Sequence, residues 1–156
     1  MSELSNEIGK TNEKFEKTIK SNIYEVKLLV TDALRFIDTI GDFSDEKRAD
    51  IRLVISELLI NALYHGNKNV NIRKIRLMIR TVEDQKLLIE VEDEGKGLNK
   101  KILKDKKISG SIKKASQDEN GRGLTLISEL TTRLFTTKKG KRVCTLISTR
   151  DQETKQ

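Results

Sequence analysis

The sequence predicts an α/β two-layer sandwich: a mixed, mostly antiparallel sheet with its helices on one face. Three observations lead to this prediction. Two helical patterns precede two adjacent strand patterns, a third helix and a last strand follow a long polar segment, and no internal repeat divides the 156 residues. Elements in the order β-α-α-β-β-lid-α-β pack naturally as one helical layer on one sheet, and a chain of this length fits one domain.

The first half of the chain shows the periods of one strand and two helices. A weak strand pattern in "KFEKTIKSN" precedes apolar residues at three- and four-residue spacing over 22–40, with Ser21 or Asn22 as the predicted N-cap. A second helical pattern spans 44–67. It begins with acidic residues that favour the helix dipole and ends at Gly66.

The second half changes period twice. "KIRLMIRTV" and "KLLIEVED" predict a hairpin of two strands, "GLTLISELTTRLF" predicts a helix that starts directly after Gly123, and "KRVCTLIST" predicts a final strand. The Lys-, Ser- and Gly-rich residues 96–122 are interpreted as a lid, because long segments without regular structure inside a compact domain are often functional. We therefore predict one domain over 13–150, with a flexible N-terminal tail at 1–12 and a C-terminal tail at 151–156.

Composition narrows the class of protein. No apolar run reaches the roughly 20 residues that a membrane span needs. No signal segment opens the chain, so we expect a cytoplasmic protein without membrane contact. A single cysteine and a single histidine exclude a disulfide framework and make the usual zinc sites very improbable. The cysteine, Cys144, lies in an apolar stretch and is predicted to be a core thiol.

The net charge of +7 raises the question of nucleic-acid binding, but its distribution weakens that interpretation. Nine Lys and Arg residues against three acids fall between Lys96 and Arg122, so one segment carries most of the excess. Four Phe, two Tyr and no Trp leave few rings on which bases could stack. A local basic segment fits an anionic small ligand or an acidic partner at least as well, and direct nucleic-acid binding ranks well below these alternatives.

The stretch "SELLINALYHGN" places Glu57, Asn61 and His65 four residues apart, so that they share one face of a helix. On an isolated amphipathic helix, a plain polar stripe is the more common explanation. Here the helix is apolar from Ile51 onward, and an unpaired carboxylate among apolar residues is costly unless it has a role. The amide oxygen of Asn61 suits Mg²⁺, and the carboxylate of Glu57 suits acceptance of a proton from a hydroxyl group or water.

The stretch "IEVEDEGKGLN" ends a predicted strand in Asp93. A carboxylate at that position can accept a hydrogen bond from the amino group of a base. Gly95 and Gly97 allow a flat ring to lie against the backbone. A plain turn remains the alternative, because Asp and Gly are common turn residues.

The stretch "NGRGLTLIS" places Gly121 and Gly123 before a predicted helix, whose N-terminus offers unpaired N–H groups to phosphate. Arg122 lies between the two glycines and suits contact with terminal phosphate oxygens. An ordinary flexible loop is the alternative. The basic segment just upstream favours anion binding.

In order and spacing, these three motifs resemble the GHKL superfamily of ATP-binding domains, which have the Bergerat-type fold. The resemblance covers roughly residues 14–150. It implies ATP and Mg²⁺ as cofactors, with Asn61 as the Mg²⁺ ligand and Asp93 bound to the adenine amino group. It also implies a set of residues around the nucleotide: His65, Gly95, Gly97, Gly121, Arg122, Gly123 and Leu124.

Glu57 separates the branches of this superfamily. Histidine kinases usually have Asn at that position, and their imidazole nucleophile needs little deprotonation, whereas a hydroxyl nucleophile needs a base. With "SELLINALYHGN", "EDEGKGL" and "GRGLTLI", the chain looks most like the bacterial anti-sigma factor serine/threonine kinases of the SpoIIAB and RsbW type. That resemblance implies a homodimer that binds a sigma factor and phosphorylates an anti-anti-sigma (STAS-type) protein. Glu57 would be the catalytic base.

The chain departs from that family at two positions. Ile60 stands where Thr is common, and Lys27 is the counterpart of an Arg that contacts partners through two parallel hydrogen bonds, which Lys cannot form. Lys27 is still the partner contact that the resemblance implies. The alternative function is a nucleotide-responsive regulatory binding module of the same fold without phosphotransfer.

Overall fold

The computed structural model describes residues 13–83, 85–96 and 119–150 of the chain. The two predicted tails and most of the predicted lid lie outside these residues. Within the described ranges, no helix has the length and apolar character needed to cross a membrane.

The described residues form five strands and three α-helices, and a π-helical turn, Ala62–Gly66, continues the second helix. In chain order the elements are β1 (Lys14–Lys20), α1 (Ile23–Ile40), α2 (Asp45–Asn61), β2 (Lys74–Val82), β3 (Lys86–Asp93), α3 (Glu119–Leu130), β4 (Arg133–Thr137) and β5 (Arg142–Ser148).

The strands form one sheet in the order β1-β2-β3-β5-β4, and all four described pairs are antiparallel. In the register of the sheet, Ile79 on β2 lies between Phe15 on β1 and Ile89 on β3. Cross-strand partners such as Ile79 and Ile89 point to the same face of the sheet and join the apolar stripes of the helices in one core. The predicted two-layer α/β sandwich is confirmed.

The centre of this core consists of fully buried Leu and Ile side chains from α1, α2, the π turn, β2 and β3. The largest are Leu29, Ile37, Ile51, Ile55, Leu58, Leu59, Leu63, Ile75, Leu77, Ile79, Leu87 and Ile89. A smaller cluster of Met78, Leu88 and Cys144 is buried separately. Burial raises the pKa of Cys144 to about 12, so this thiol behaves as an unreactive apolar group, as predicted.

Side-chain caps set the start of the first helix. The carbonyl oxygen of the Asn22 side chain accepts a hydrogen bond from the Glu25 N–H at 3.0 Å. The Glu25 carboxylate in turn accepts one from the Lys20 N–H at 3.1 Å. Asn22 is therefore the N-cap of α1, one of the two predicted candidates, and the pair of bonds joins the end of β1 to the helix. A cap of this kind contributes about 1 kcal/mol to stability.

The helix predicted over 123–135 is wrong at both ends. It begins earlier, at Glu119, so Gly121 and Gly123 lie within α3 instead of preceding it. It ends earlier, at Leu130, and the residues after it form a strand that the sequence analysis did not predict.

That additional strand, β4, owes its conformation to the neighbouring strand β5. The Thr132 N–H donates to the carbonyl oxygen of Leu146 at 2.8 Å, and Leu134 pairs with Thr145 and is 5% exposed. The segment "TTRLFTT" is rich in β-branched and aromatic residues, which suit a sheet edge. Long-range pairing therefore overrides the local helical spacing of its apolar residues.

Candidate functional site

The ends of two helices bring three of the predicted site residues together. A Cβ atom added to Gly123 on α3 would lie 2.7 Å from Oε2 of Glu57 and 3.4 Å from Nδ2 of Asn61 on α2. The spacing of four residues turns Glu57 and Asn61 to the same side of α2, and that side meets α3. The missing side chain of Gly123 leaves the space in which the carboxylate lies.

The Asn61 amide is buried and incompletely satisfied. The residue is 8% exposed, and its Nδ2 has no hydrogen-bond partner among the described residues. A buried amide that lacks a partner is costly, so such a group calls for an explanation. A bound ligand supplies one, because the amide oxygen suits Mg²⁺ and the amide N–H suits a phosphate oxygen.

The residues present fit a magnesium ion held mainly by the nucleotide. In the part of the chain that the structure describes, no group of three or more His, Cys, Asp or Glu side chains is arranged to hold a metal. Mg²⁺ commonly takes one or two protein ligands and completes its shell with water and phosphate oxygens. The amide oxygen of Asn61 has the chemistry that such a protein ligand needs.

The Glu57 carboxylate is half-buried and available. Among the described side chains, which leave out those of residues 119–122, no hydrogen bond or ion pair engages it. Gly123 of α3 lies beside it. An ionised carboxylate that is not already neutralised by a cation can accept a proton from a hydroxyl group placed beside it.

Asp93 ends β3 and begins a tight turn. Its Oδ1 accepts a hydrogen bond from the Gly95 N–H at 2.8 Å, the arrangement of an Asx turn. Burial raises the pKa of Asp93 above the ordinary value of 3.8, and the Gly95 N–H opposes part of that rise. The carboxylate is thus a partly buried acceptor at the C-terminal end of the central strand.

Close contacts around this turn require glycine at two positions. A Cβ atom added to Gly66 would lie 2.0 Å from Oδ2 of Asp93, and one added to Gly95 would lie 1.8 Å from the carbonyl oxygen of Gly66. Contacts this short cannot be accommodated without moving the backbone or the carboxylate. Gly66 was predicted only as a helix end, and a glycine there gives no separate sequence signal for its contact with Asp93.

Asn67 is a further residue of this region that sequence reasoning missed. Its side chain is fully buried and makes three hydrogen bonds, one of them to the backbone N–H of Glu94 at 2.7 Å. An Asn after a helix-ending Gly is common in turns. The sequence therefore carried no signal that this Asn is buried beside the Asp93 turn.

The remaining predicted nucleotide contacts lie at different depths. His65 is half-buried in the π turn. In the described ranges, no hydrogen bond or ion pair connects His65 to Glu57, Asn61 or Asp93. Leu124 is 1% exposed and belongs to the core, so only its backbone is left to contact a nucleotide.

Three more predicted residues lie at or beyond the ends of the described ranges. Gly121 and Arg122 belong to the first turns of α3, and Gly97 lies outside the described residues. The glycine-arginine segment was predicted to precede the helix, and this is corrected: it is part of the helix. At Gly123, close packing of α3 on α2 explains why glycine is tolerated, despite its cost of about 1 kcal/mol in a helix interior.

The predicted partner contact lies in a different place. Lys27 is exposed on α1 and lines a groove of about 690 Å³ between α1 and α2. The same groove is lined by Ile60, so both positions that depart from the anti-sigma kinase motifs, 27 and 60, lie along it. Its cationic side chains are Lys27, Arg35, Arg48 and Arg52.

The fold is similar to that of solved structures. It matches 11 chains of known structure. One is the crystal structure of the RsbU and RsbW domains of Rv1364c from Mycobacterium tuberculosis, with a TM-score of 0.54 and 15% sequence identity. The match covers 86% of the present chain and 31% of that chain. At this identity the similarity establishes the shared fold.

Sequence comparison identifies the family. No curated protein sequence matches the chain significantly. The sequence profile of the histidine kinase-like ATPase domain, however, matches residues 22–147. This range begins at the N-cap of α1, ends within β5, and includes every residue discussed above as part of the site. The chain therefore belongs to the histidine kinase-like ATPase family.

Proposed function

We propose that this protein is an anti-sigma factor that binds ATP and acts as a serine/threonine protein kinase on an anti-anti-sigma (STAS-type) partner. The observation that carries the proposal is the meeting of Glu57, Asn61 and Gly123. An unengaged carboxylate and an incompletely paired amide lie side by side at one helix contact. In an ATP-binding family, this pair supports transfer of a phosphoryl group to a hydroxyl.

In the proposed reaction, Glu57 accepts the proton of a Ser or Thr hydroxyl on the partner. The hydroxyl oxygen forms a bond to the γ-phosphorus of ATP, the bond between that phosphorus and the bridging oxygen breaks, and ADP leaves. Mg²⁺, held by Asn61, would neutralise charge on the phosphates when bound. Most of the rate enhancement then comes from positioning and charge stabilisation, as in other phosphoryl transfers.

The other site residues hold the nucleotide in this proposal. Asp93 accepts a hydrogen bond from the adenine amino group, and the turn at Gly95 lies along the base. The first turns of α3, with Gly121 and Arg122, lie at the phosphates, where the N-terminal N–H groups of a helix favour an anion.

The regulatory part of the proposal rests on the motifs and on the groove between α1 and α2. The structural neighbour contains an RsbW domain, and the motif sequences resemble the anti-sigma kinases. Lys27 in its basic groove is proposed to contact an acidic partner, and we infer a homodimer. Since a sigma factor acts with RNA polymerase, this function belongs to the cytoplasm.

The test uses Mg-ATP, the purified full chain and a candidate STAS-type protein encoded beside it. The wild-type chain should produce phosphoserine or phosphothreonine on that protein. Glu57→Gln keeps the size of the side chain but removes its basicity, so the rate should fall by about 100-fold or more. ATP affinity should change only slightly. Glu46→Gln, on the exposed first turn of the same helix, is the matched control and should retain full activity.

Three outcomes separate the candidate functions. Full activity in Glu57→Gln contradicts the role of Glu57 as the base. ATP binding without phosphorylation of the partner supports the regulatory binding module instead. Salt-sensitive binding to DNA or RNA, with unchanged nucleotide affinity in Asp93→Asn, would support a nucleic-acid binder.

A further inference from the structure

Asn67 joins three parts of the molecule through one buried side chain. Its Nδ2 donates to Oγ of Ser21, between β1 and α1, at 2.5 Å, and to the carbonyl oxygen of Lys74, at the start of β2, at 2.9 Å. Its Oδ1 accepts from the Glu94 N–H, just after β3, at 2.7 Å. The residue is 0% exposed, so water does not compete for these bonds.

The first two backbone N–H groups of the turn after β3 both donate hydrogen bonds to side chains. The Glu94 N–H is bonded to Asn67, and the Gly95 N–H is bonded to Asp93. The Gly66 backbone lies against both Asp93 and Gly95. The Asp93 turn is therefore held from the end of the π turn by two consecutive residues: Gly66, whose backbone lies against the Asp93 carboxylate, and Asn67, which accepts from the Glu94 N–H.

The same residue is anchored to the second helix. The Asn67 N–H donates to the carbonyl oxygen of Ala62 at 2.8 Å, which closes the π turn directly after Asn61. Only this turn separates Asn61, at the proposed metal end of the site, from Asn67, at the Asp93 turn. The part of the proposed site that would hold the metal and the part that would bind adenine are thus connected through a short, hydrogen-bonded segment.

We propose that Asn67 is a positioning residue that fixes the Asp93 turn relative to the end of α2 and thereby sets selectivity for ATP over GTP. This inference rests on the proposed ATP site. Asn67 has no contact with the nucleotide in this account and acts through Asp93.

The selectivity follows from the chemistry of the two bases. Adenine presents an amino group, which donates to a carboxylate, where guanine presents a carbonyl oxygen, which a carboxylate repels. A carboxylate held in one direction discriminates strongly between these groups, because a mismatched base leaves buried polar atoms unpaired. A carboxylate on a loosened turn can rotate away from the guanine oxygen and discriminates less.

The experiment measures the affinities of the full chain for ATP and for GTP by titration calorimetry. Asn67→Ala should weaken ATP binding by about tenfold or more, because the loosened turn weakens the hydrogen bond from the adenine amino group to the charged Asp93 carboxylate. The affinity for GTP should fall much less, so the ratio of the two affinities should move toward one. Circular dichroism at the same temperature establishes that the variant is folded.

Ser21→Ala is the matched control, since it removes a different partner of the same Asn67 side chain. Ser21 is 1% exposed and accepts from Nδ2, whereas the bond from Oδ1 to Glu94 is untouched. This variant should lose stability but keep the wild-type ratio of ATP to GTP affinity. A purely structural role for Asn67 would instead give the same result in both variants.

A wild-type affinity ratio in folded Asn67→Ala would overturn the proposal. Should that variant not fold, hydrogen exchange in the wild-type chain decides: the Glu94 amide should exchange slowly, and rapid exchange would show that Asn67 does not hold the turn. Absence of ATP binding by the wild-type chain contradicts the proposed function itself. The exchange of the Glu94 amide would still report on the turn.

Discussion

At the scale of single residues, the site depends on side chains whose surroundings change their chemistry. Asp93 is the clearest case, since burial raises its pKa while the Gly95 N–H partly compensates. Glu57 and Asn61 are distinguished by what they lack: among the described side chains, which leave out those of residues 119–122, neither the Glu57 carboxylate nor the Asn61 Nδ2 has a hydrogen-bond partner. Each of these groups has unused capacity to bind or to accept a proton.

The raised pKa of Asp93 has consequences in opposite directions for stability and for binding. Because the folded chain binds this proton more tightly than the unfolded chain, stability falls as pH rises from the ordinary value of 3.8 through the raised pKa. ATP binding requires the ionised carboxylate in the proposed site. We therefore expect ATP affinity to weaken as pH falls, beginning above the pH at which an ordinary Asp would be protonated.

Titration of ATP affinity against pH checks this expectation, with Asp93→Asn as the reference protein. The ATP phosphates titrate equally in both proteins, so the difference between the two profiles isolates the carboxylate. Identical profiles would contradict the assignment of Asp93 as the residue that binds the adenine ring.

At the scale of elements, the contact between α2 and α3 is the decisive feature. It places residues 57 and 123, which are far apart in the chain, at one point. The contact is close because α3 has a glycine where it faces Glu57. A helix that lacks a side chain at a contact can approach its neighbour more closely.

Gly123→Ala is expected to separate stability from catalysis. The added Cβ would lie 2.7 Å from Oε2 of Glu57, so the carboxylate must move, and it can, because it is the end of a flexible side chain. Alanine is about 1 kcal/mol more favourable than glycine in a helix interior, so stability should change by no more than about that amount. Phosphoryl transfer should fall by about 100-fold, the cost of misplacing a reacting group by about an ångström.

The measurements are the initial rate of phosphorylation and the urea midpoint. Gly41→Ala is the control, because its added Cβ would meet only the ring of Phe43, away from the site, at 3.0 Å. A wild-type rate in Gly123→Ala would show that the position of the Glu57 carboxylate does not limit the reaction.

At the scale of the whole molecule, the helical layer and the sheet share one main core. Charged side chains on neighbouring strands also balance one another. Arg76 contacts Glu16 at 2.8 Å and Glu92 at 3.3 Å, and Glu92 also pairs with Lys138 at 2.8 Å. Arg142 approaches the same Glu92 carboxylate at 3.6 Å. Glu90 lies 3.7 Å from Arg76 and 3.9 Å from Arg142. Three carboxylates thus balance the three cations, so this part of the sheet adds little to the net charge available for a polyanion.

Because the core is shared, loss of packing at its centre should weaken the whole domain. Ile89 is 0% exposed and lies opposite Ile79 and Thr145 in the central strands. Ile89→Ala should lower the free energy of unfolding by about 2–5 kcal/mol. ATP at 100 times its dissociation constant should restore about 2.7 kcal/mol, because it binds only the folded chain.

Urea denaturation, with and without Mg-ATP, measures both effects. Leu28→Ala is the control: Leu28 is 65% exposed, so its removal should change stability by no more than about 0.5 kcal/mol. Equal losses in the two variants would contradict the assignment of Ile89 to the core.

The elements that the sequence predicted well are those whose pattern is local. The predicted hairpin over 74–82 and 86–93 is confirmed residue by residue. The first helix is confirmed with Asn22, one of its two predicted caps, and the second is confirmed as far as Asn61, after which a π turn continues it. The strand β4 was missed because its conformation comes from pairing with β5, and its own spacing resembles that of a helix. Sequence period alone does not distinguish these cases.

For the site, the sequence by itself determined which residue types stand at which spacing. Glu57 and Asn61 four apart, and Asp93 two before Gly95, follow from the order of residues and the geometry of a helix and a turn. Only the tertiary structure decided that Gly123 closes on Glu57, that Gly66 lies against Asp93, and that Asn67 holds the Glu94 amide. These contacts join segments distant in the chain, and their distances depend on how whole elements pack, which no local pattern encodes.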